Sequence, residues 1–466
     1  MSIPPNLNVV YRSLQGYRKS LIRFYPDRSG VINSGDVLRY TFPKEIMSLD
    51  TLMKYFEFTS TAAQSAAAAR QGTHFPRNSA SLIDTLTIFI NGQVYENIVS
   101  YNHLFNIIMD NTSGYNYNCS GIRALECVDP SVLYTLNATT EVITAAAQGT
   151  ATGTTDAQVC DTKRPLQIRN WIGFLNGNGN NNAIIDLTNV ELVAEIRLAS
   201  PNIMWKGIDA TPTPTNLTPN YSIDAYYMTI QKITFDDDVY QRTLNSLKAS
   251  GNYTLVFKTY STARSGAITK SSGPILQFST TAKYLSKLYL TCMDKDFDTI
   301  TYLLNQTTNS STITPVFSKL MADTLTNIVT FNQSRFFMKN ATGLKEAQIE
   351  INGIPVYPFP QPPHLIKNNN LDAFDLEGNI QAGDYVGLQS LEQWTKYGFV
   401  QAVSFEHKDA WKERLITGYP NPNGNLLTIK WSPIFDGGNS NNTILLGFAE
   451  RVVMAKFSGN SVSIEY

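Results

Sequence analysis

The amino-acid sequence predicts an all-β protein of two antiparallel β-sandwiches in tandem, with short helices and long loops. Runs that alternate apolar and polar residues recur along most of the chain, and this alternation is the period of a half-buried strand. A joint at residues 226–260 divides the 466 residues nearly equally. One hydrophobic core rarely serves a chain of this length, so two domains of roughly 200 residues each are expected.

The N-terminal segment, residues 1–28, has the apolar spacing of one helical face: Val10, Leu14, Tyr17 and Leu21. Its cations fall on the other faces: Arg12, Arg18, Lys19 and Arg23. This pattern predicts a short basic amphipathic helix. Two interpretations stay open, a helix that packs on its own domain and a segment that docks on an acidic or membranous partner.

The first sandwich is predicted over residues 29–235. Its opening strand alternates polar residues with three apolar ones: Leu38, Tyr40 and Phe42. A later strand at residues 86–90 ends at Asn91-Gly92, a dipeptide that supplies the positive φ of a tight hairpin. These features are typical of antiparallel strands joined by short turns.

Residues 111–170 interrupt this sandwich with a stretch rich in Thr, Ala, Asn, Ser and Gly that has no clean period. An insertion of this length inside a compact domain usually carries function or forms a subdomain. We expect it to be a long loop at the outer end of the first sandwich.

The joint contains a predicted helix. Three acids, Asp236 to Asp238, precede apolar residues at helical spacing, and Gly251 follows where helices commonly end. Strand-like alternation resumes at Tyr253, so the second sandwich is predicted over residues 236–466.

A short motif of the first half returns in the second at an offset of 261 residues. The sequence I-F-I-N-G at 88–92 corresponds to I-E-I-N-G at 349–353, and His103-Leu104 corresponds to His364-Leu365. Because both copies place a strand before the same turn, the two domains are predicted to be similar.

The charge composition argues against a long-range attraction to nucleic acid or to an anionic membrane. Lys and Arg number 37 against 38 Asp and Glu, for a net charge of -1. Charged residues are only 16% of the chain, below the roughly 25% of an average domain. A surface with so few charges suits large contacts between copies.

No apolar signal-peptide core and no run of about 18 apolar residues occurs, so we expect synthesis in the cytosol. The four cysteines form no C-x-x-C pair: Cys119, Cys127, Cys160 and Cys292. They are predicted to be reduced, and a disulfide among the first three stays open.

We find no pattern that predicts catalytic chemistry. The four histidines have no metal-ligand spacing: His74, His103, His364 and His407. The Gly-rich run at 176–182 lacks the following helix of a phosphate site, and the acids at 236–238 lack a calcium loop. We therefore expect no enzyme activity, no catalytic residue, no metal and no cofactor.

Three stretches resemble the double jelly-roll major capsid proteins, most closely those of virophages and polinton-like viruses. One is the passage from strand through acidic helix to strand at 225–260. The second is I-x-I-N-G-Q-V-Y-E-N at 88–97, followed by Tyr101-Asn102-His103-Leu104, and the third is the repeat in the second half. The resemblance covers roughly residues 30–466, with the loops excluded.

The resemblance implies two eight-stranded jelly rolls that form pseudo-hexagonal homotrimers in the shell of an icosahedral double-stranded DNA virus. It implies neighbouring capsomers, penton proteins and minor capsid proteins as partners, and location in the virion. The basic segment would face the interior, towards an internal membrane or the genome: Arg12, Arg18, Lys19 and Arg23. Alternative hypotheses are a carbohydrate-binding or polysaccharide-active β-sandwich and a viral receptor-binding spike.

Overall fold

The strands and helices are taken from a computed structural model. The structure describes these residues: 17–60, 71–74, 78–112, 134–137, 142–145, 164–176, 184–203, 205–208, 221–235, 238–250, 253–294, 301–303, 337, 339–374, 391–406, 418–421, 424–458 and 461–465.

The strands of the first half are β1 (Tyr17–Phe24), β2 (Ile32–Asn33), β3 (Val37–Thr41), β4 (Ile46–Ser60), β5 (Gln71–His74), β6 (Ile83–Ile90), β7 (Gln93–Val99), β8 (Tyr134–Asn137), β9 (Val142–Ala145), β10 (Arg164–Ile168), β11 (Ile184–Asp186), β12 (Leu192–Leu198), β13 (Trp205–Ile208) and β14 (Tyr221–Phe235). Those of the second half are β15 (Tyr253–Arg264), β16 (Ile268–Thr269), β17 (Leu276–Thr281), β18 (Tyr284–Asp294), β19 (Thr301–Leu303), β20 (Leu344–Ile351), β21 (Ile354–Pro355), β22 (Gln401–Ser404), β23 (Tyr419–Pro420), β24 (Leu426–Phe435), β25 (Asn442–Ser458) and β26 (Ser461–Glu465). The α-helices are α1 (Tyr101–Thr112), α2 (Asp238–Ala249), α3 (Pro363–Ala373) and α4 (Leu391–Tyr397).

The first half is a sandwich of two antiparallel sheets. One has the strand order β1-β14-β4-β10 and the other β3-β12-β6-β7. Counted along the chain, these eight strands lie in the orders 1-8-3-6 and 2-7-4-5. This double Greek-key arrangement is the jelly roll.

The second half repeats that topology. Its sheets have the orders β15-β25-β18-β22 and β17-β24-β20-β21, which are again 1-8-3-6 and 2-7-4-5. The double jelly roll implied by the resemblance is therefore confirmed. A smaller sheet also joins the halves, because β13 pairs with β5 and, in parallel, with β19 of the second half.

Strand alternation decides which side chains form the two cores. In β3, Leu38 and Tyr40 are buried between exposed neighbours, and β24 alternates in the same way. Neighbouring side chains on a strand point to opposite faces, so each strand gives one row of apolar residues to its core. Full burial of such a side chain contributes roughly 1.5–3 kcal/mol.

The two halves share the geometry of one turn. Each turn places an asparagine and a glycine at positive φ: Asn91, Gly92, Asn352 and Gly353. The backbone N–H of Asn91 donates to the Glu191 carbonyl at 2.8 Å, and the side-chain Oδ1 of Asn91 accepts from the backbone N–H of Glu191 at 2.9 Å. Asn352 makes the same pair of bonds to Thr428, both at 2.8 Å. A helix, α1 or α3, follows each hairpin, so the predicted repeat is confirmed.

The predicted N-terminal helix is wrong for residues 17–24, which form strand β1. This strand pairs with β14 along its whole length, from Tyr17 opposite Phe235 to Phe24 opposite Met228. Leu21, which the helix prediction placed on the apolar face, is 67% exposed. The pairing satisfies backbone groups on one side of β1, and the first jelly roll therefore begins before residue 29. Residues 1–16 lie outside the described part of the chain.

The predicted excursion at 111–170 is also too long. Helix α1 continues to Thr112, and β10 is a strand of the first sheet that pairs with β4. Leu166 and Ile168 of β10 are both buried, so apolar residues alternate there as in a strand, contrary to the prediction of a stretch without a clean period. The hairpin of β8 and β9 is described between them, and the other residues of 113–163 are not.

The helix predicted in the joint is confirmed as α2, between the last strand of the first jelly roll and the first strand of the second. Its Leu247 packs against the larger buried cluster.

Candidate functional surfaces

Two jelly rolls meet along β7 of the first and β15 of the second. Phe174, in a 3-10 turn at 173–175, packs edge-on against Phe257 with ring centres 4.9 Å apart. The Thr262 hydroxyl donates to the Val99 carbonyl at 3.0 Å. Buried apolar residues from both halves form one continuous cluster, and a cavity of about 230 Å³ lined partly by Tyr260 opens beside it. We call this contact the seam.

Glu96 is a buried carboxyl at the seam. It accepts a hydrogen bond from the Phe174 amide at 2.9 Å, and it lies so close to Gly173 that a Cβ there would stand 2.4 Å from Oε1. Burial raises the pKa of Glu96 to about 7, although the Phe174 amide, Thr259 and Arg451 act in the opposite direction. Glu96 thus holds the turn that carries Phe174 to the second jelly roll.

A second group of buried charges lies on the large sheet of the second jelly roll. Lys258 pairs with Glu406 and with Glu450, each at 2.8 Å, and Lys287 lies 4.0 Å from Glu406. The Tyr260 hydroxyl donates to Glu450 at 2.8 Å. Burial acts to raise the pKa of Glu450, but Lys258 and Lys287 outweigh it and leave that pKa below its ordinary value.

These charges have a structural role. Two lysines face two carboxylates, so the group is balanced, and the cost of desolvating each ion is offset by its partner. Lys287 also donates to the Ala373 carbonyl at 2.8 Å, at the end of α3. The group therefore ties β15, β18 and β25 to the chain after β22 and to α3.

Lys54 is buried inside the first jelly roll, where sequence patterning predicts an apolar core. Its Nζ donates to the Tyr40 hydroxyl at 2.7 Å, and burial lowers the pKa of Lys54 to about 7. The alternation of β4 could have placed Lys54 on the inner face. No sequence pattern, however, predicts that the Tyr40 hydroxyl accepts its hydrogen bond.

The basic residues predicted to contact the capsid interior lie along an edge strand rather than on one face of a helix. Arg18, Lys19 and Arg23 are exposed on β1; strand alternation puts Lys19 and Arg23 on one side of the sheet and Arg18 on the other. Arg12 lies outside the described residues.

Arg23 belongs to an aromatic cluster that sequence reasoning missed. Its guanidinium lies over the Tyr227 ring, 4.2 Å from the centre, a cation–π contact. Tyr227 stacks on Tyr55 at 4.9 Å and contacts Tyr25 at 6.2 Å. The hydrogen bond with Tyr25 and the neighbouring Tyr227 raise the pKa of Arg23. The cluster joins β1, β14 and β4 on the outer face of their sheet.

The described residues offer little to build a catalytic or metal site. They contain no group of three or more His, Cys, Asp or Glu placed to hold a metal ion. Burial, with the charges of Lys339 and Arg264, lowers the pKa of His103 to about 3, so this histidine is neutral. Burial raises the pKa of the Cys292 thiol to about 12. Cys119, Cys127, Cys160 and His407 lie outside the described residues.

None of the described helices combines the length and the apolar character needed to cross a membrane.

Two sandwiches of one topology in a single chain define the double jelly-roll class of fold. No protein-family model matches the sequence, and no curated protein does. Among solved structures, the chain is similar to the PBCV-1 virus capsid, at 10% identity over 98% of both chains with a TM-score of 0.56. It is also similar to the Sputnik virophage structure, at 11% identity over 96% of this chain and 88% of that one, TM-score 0.54.

The Faustovirus major capsid protein is a further similar structure, at 8% identity over 95% of this chain and 91% of that one, with a TM-score of 0.52. At these identities the likeness is one of fold. It agrees with the strand order above and covers nearly the whole chain, so both jelly rolls and their tandem arrangement are common to these structures and to this one.

Proposed function

We propose that this chain is the major capsid protein of an icosahedral double-stranded DNA virus and forms the shell as pseudo-hexagonal homotrimers. The observation that carries the proposal is the repeat of one jelly roll within a single chain, with a shared core at the seam. The same fold occurs in the PBCV-1 virus capsid and in the Faustovirus major capsid protein. No observation on the described residues favours the carbohydrate-binding or the receptor-binding alternative.

The repeat of the jelly roll within one chain explains how three copies could form a capsomer with a hexagonal outline. Two similar domains in each chain, arranged around a threefold axis, give six similar edges, and hexagonal outlines cover a surface. Contacts within the trimer close the ring, which leaves the outer edges for the next capsomer. A chain with 16% charged residues suits this, because large interfaces favour neutral polar and aromatic side chains over ions that must be desolvated.

The proposal includes further partners and a location. Neighbouring capsomers would meet the trimer edges, and penton and minor capsid proteins would complete the shell in the virion. The basic N-terminal segment with Arg12, Arg18, Lys19 and Arg23 would face the interior, towards an internal membrane or the genome. Synthesis in the host cytoplasm and a structural, non-enzymatic role belong to the same proposal.

Light scattering on the purified protein tests the proposal. We expect a single species of about 156 kDa, three times the chain mass of 51.9 kDa, and negative-stain images of hexagonal tiles or closed shells. A monodisperse monomer or dimer at micromolar concentration would remove the geometric basis of the proposal.

A further inference from the structure

The seam joins two elements, and each has a counterpart elsewhere in the chain. On one side is β15, the first strand of the second jelly roll, and its counterpart is β1, the first strand of the first. On the other side is β7, which follows the Asn91-Gly92 turn. Its counterpart is the segment 354–360, which follows the equivalent turn at Asn352-Gly353.

The counterparts differ from the seam in exposure. On the outer face of β15, Tyr260 is 6% exposed, and residues of the first jelly roll line the cavity beside it. Leu21 of β1 and the adjoining Tyr25 are 67% and 60% exposed. In the segment 354–360, Ile354 is 63% and Phe359 is 52% exposed. Within each chain, therefore, one pair of equivalent surfaces is in contact at the seam. The other pair, β1 and residues 354–360, is exposed to solvent.

We propose that residues 354–360 of one copy pack against β1 of the next, so that the seam within each chain is repeated between chains. This inference rests on the proposed function and names the contact that would build its trimer. The two surfaces differ, so the contact is head-to-tail; such contacts form rings when the rotation closes. Three copies would give six seams, three within chains and three between them.

The chemistry of the open surfaces supports a contact between separately folded chains. Four large apolar side chains lose solvent at each contact, and each full burial contributes roughly 1.5–3 kcal/mol. Tyr25 already rests against the Tyr227 ring, with ring centres 6.2 Å apart, so less side-chain freedom is lost on docking. At the offset of 261 residues, Tyr357 replaces the seam's Glu96, and a neutral phenol is easier to desolvate than a carboxylate.

The test places a charge on each side of the proposed contact. Leu21→Glu and, separately, Ile354→Glu should reduce the mass in light scattering threefold, from about 156 kDa to the 51.9 kDa of one chain. Ile275→Glu is the matched control, because Ile275 is 49% exposed but precedes β17, which lies at the opposite edge of the sheet from β21 and Ile354. It should leave the mass unchanged.

A covalent trap makes the test independent of folding defects in one variant. Leu21→Cys combined with Ile354→Cys, and Tyr25→Cys combined with Phe359→Cys, should give oxidised covalent trimers on a denaturing gel, while each single cysteine variant should not. Circular dichroism and thermal unfolding check that every variant is folded.

The outcomes separate this inference from the proposed function. If the unmodified protein is a trimer but both glutamate variants remain trimers and neither cysteine pair cross-links, the inference is wrong and the proposed function stands. If the unmodified protein is a monomer, the proposed function fails and the inference fails with it.

Discussion

Glu96 is the residue whose charge most directly links the seam to pH. Its pKa is about 7 in the folded chain and 4.5 in its ordinary state, so between these values the folded state holds a proton that the unfolded state releases. The stability associated with that proton is fully present below about 4.5 and is lost as pH rises towards 7. The loss is on the order of 3 kcal/mol.

Glu96→Gln should remove this part of the pH dependence. We expect the free energies of unfolding in urea at pH 5 and pH 7 to differ less in the variant than in the unmodified chain, because the amide does not titrate. Glu191→Gln, at an exposed carboxyl, should keep the original difference. An unchanged pH difference in Glu96→Gln would contradict the role assigned to the Glu96 carboxyl.

Lys54 affects stability in a different pH range. Its pKa is about 7 in the folded chain, against 10.5 ordinarily, so the free energy of unfolding rises from pH 7 upward.

At the residue scale, the sequence predicts those residues whose role depends only on their immediate neighbours in the chain. Asn91 and Asn352 are predictable because a tight hairpin needs positive φ at the Asn-Gly pair. Glu96 is not predictable, since its burial depends on Phe174, a residue 78 positions away. The Arg23 and Tyr227 contact is similarly distant in sequence.

At the scale of elements, β1 shows how one pattern supports two structures. Residues 17–24 contain apolar residues at both helical and strand-like spacing, and β14, some 200 residues later, decides between them by pairing along the whole strand. The pattern within residues 17–24 alone cannot predict a partner strand so distant in sequence. The jelly-roll order itself was predicted only through the resemblance, because alternation indicates strands but not their neighbours.

Phe24→Ala tests the place of β1 in the first sandwich. The Phe24 ring packs against Phe42 at 5.0 Å and Tyr40 at 6.3 Å, so its removal leaves a cavity and should cost about 3–5 kcal/mol of unfolding free energy. Ser20→Ala, at an exposed position of the same strand, should stay within about 0.5 kcal/mol. Urea unfolding measures both. A cost below about 1 kcal/mol for Phe24→Ala would mean that β1 is not part of the core.

At the scale of the whole molecule, the seam decides whether the two jelly rolls act as one unit. Buried residues of both halves belong to one cluster, while a second cluster lies within the second jelly roll alone. A continuous apolar contact means that unfolding either sandwich would expose the other, so we expect one cooperative transition rather than two.

A matched pair of core variants tests this cooperativity. Ile88 and Ile349 occupy corresponding positions of the repeat and are both buried, so Ile88→Ala and Ile349→Ala should each cost about 2–5 kcal/mol. The reporters are Trp171 in the first half and Trp431 in the second, each retained as the single tryptophan in chains whose other tryptophans are replaced by Phe. At equal protein concentration, which controls for association, each alanine variant should lower the midpoint of both reporters equally. If each variant shifts only the tryptophan of its own half, the jelly rolls unfold independently and the seam does not couple them.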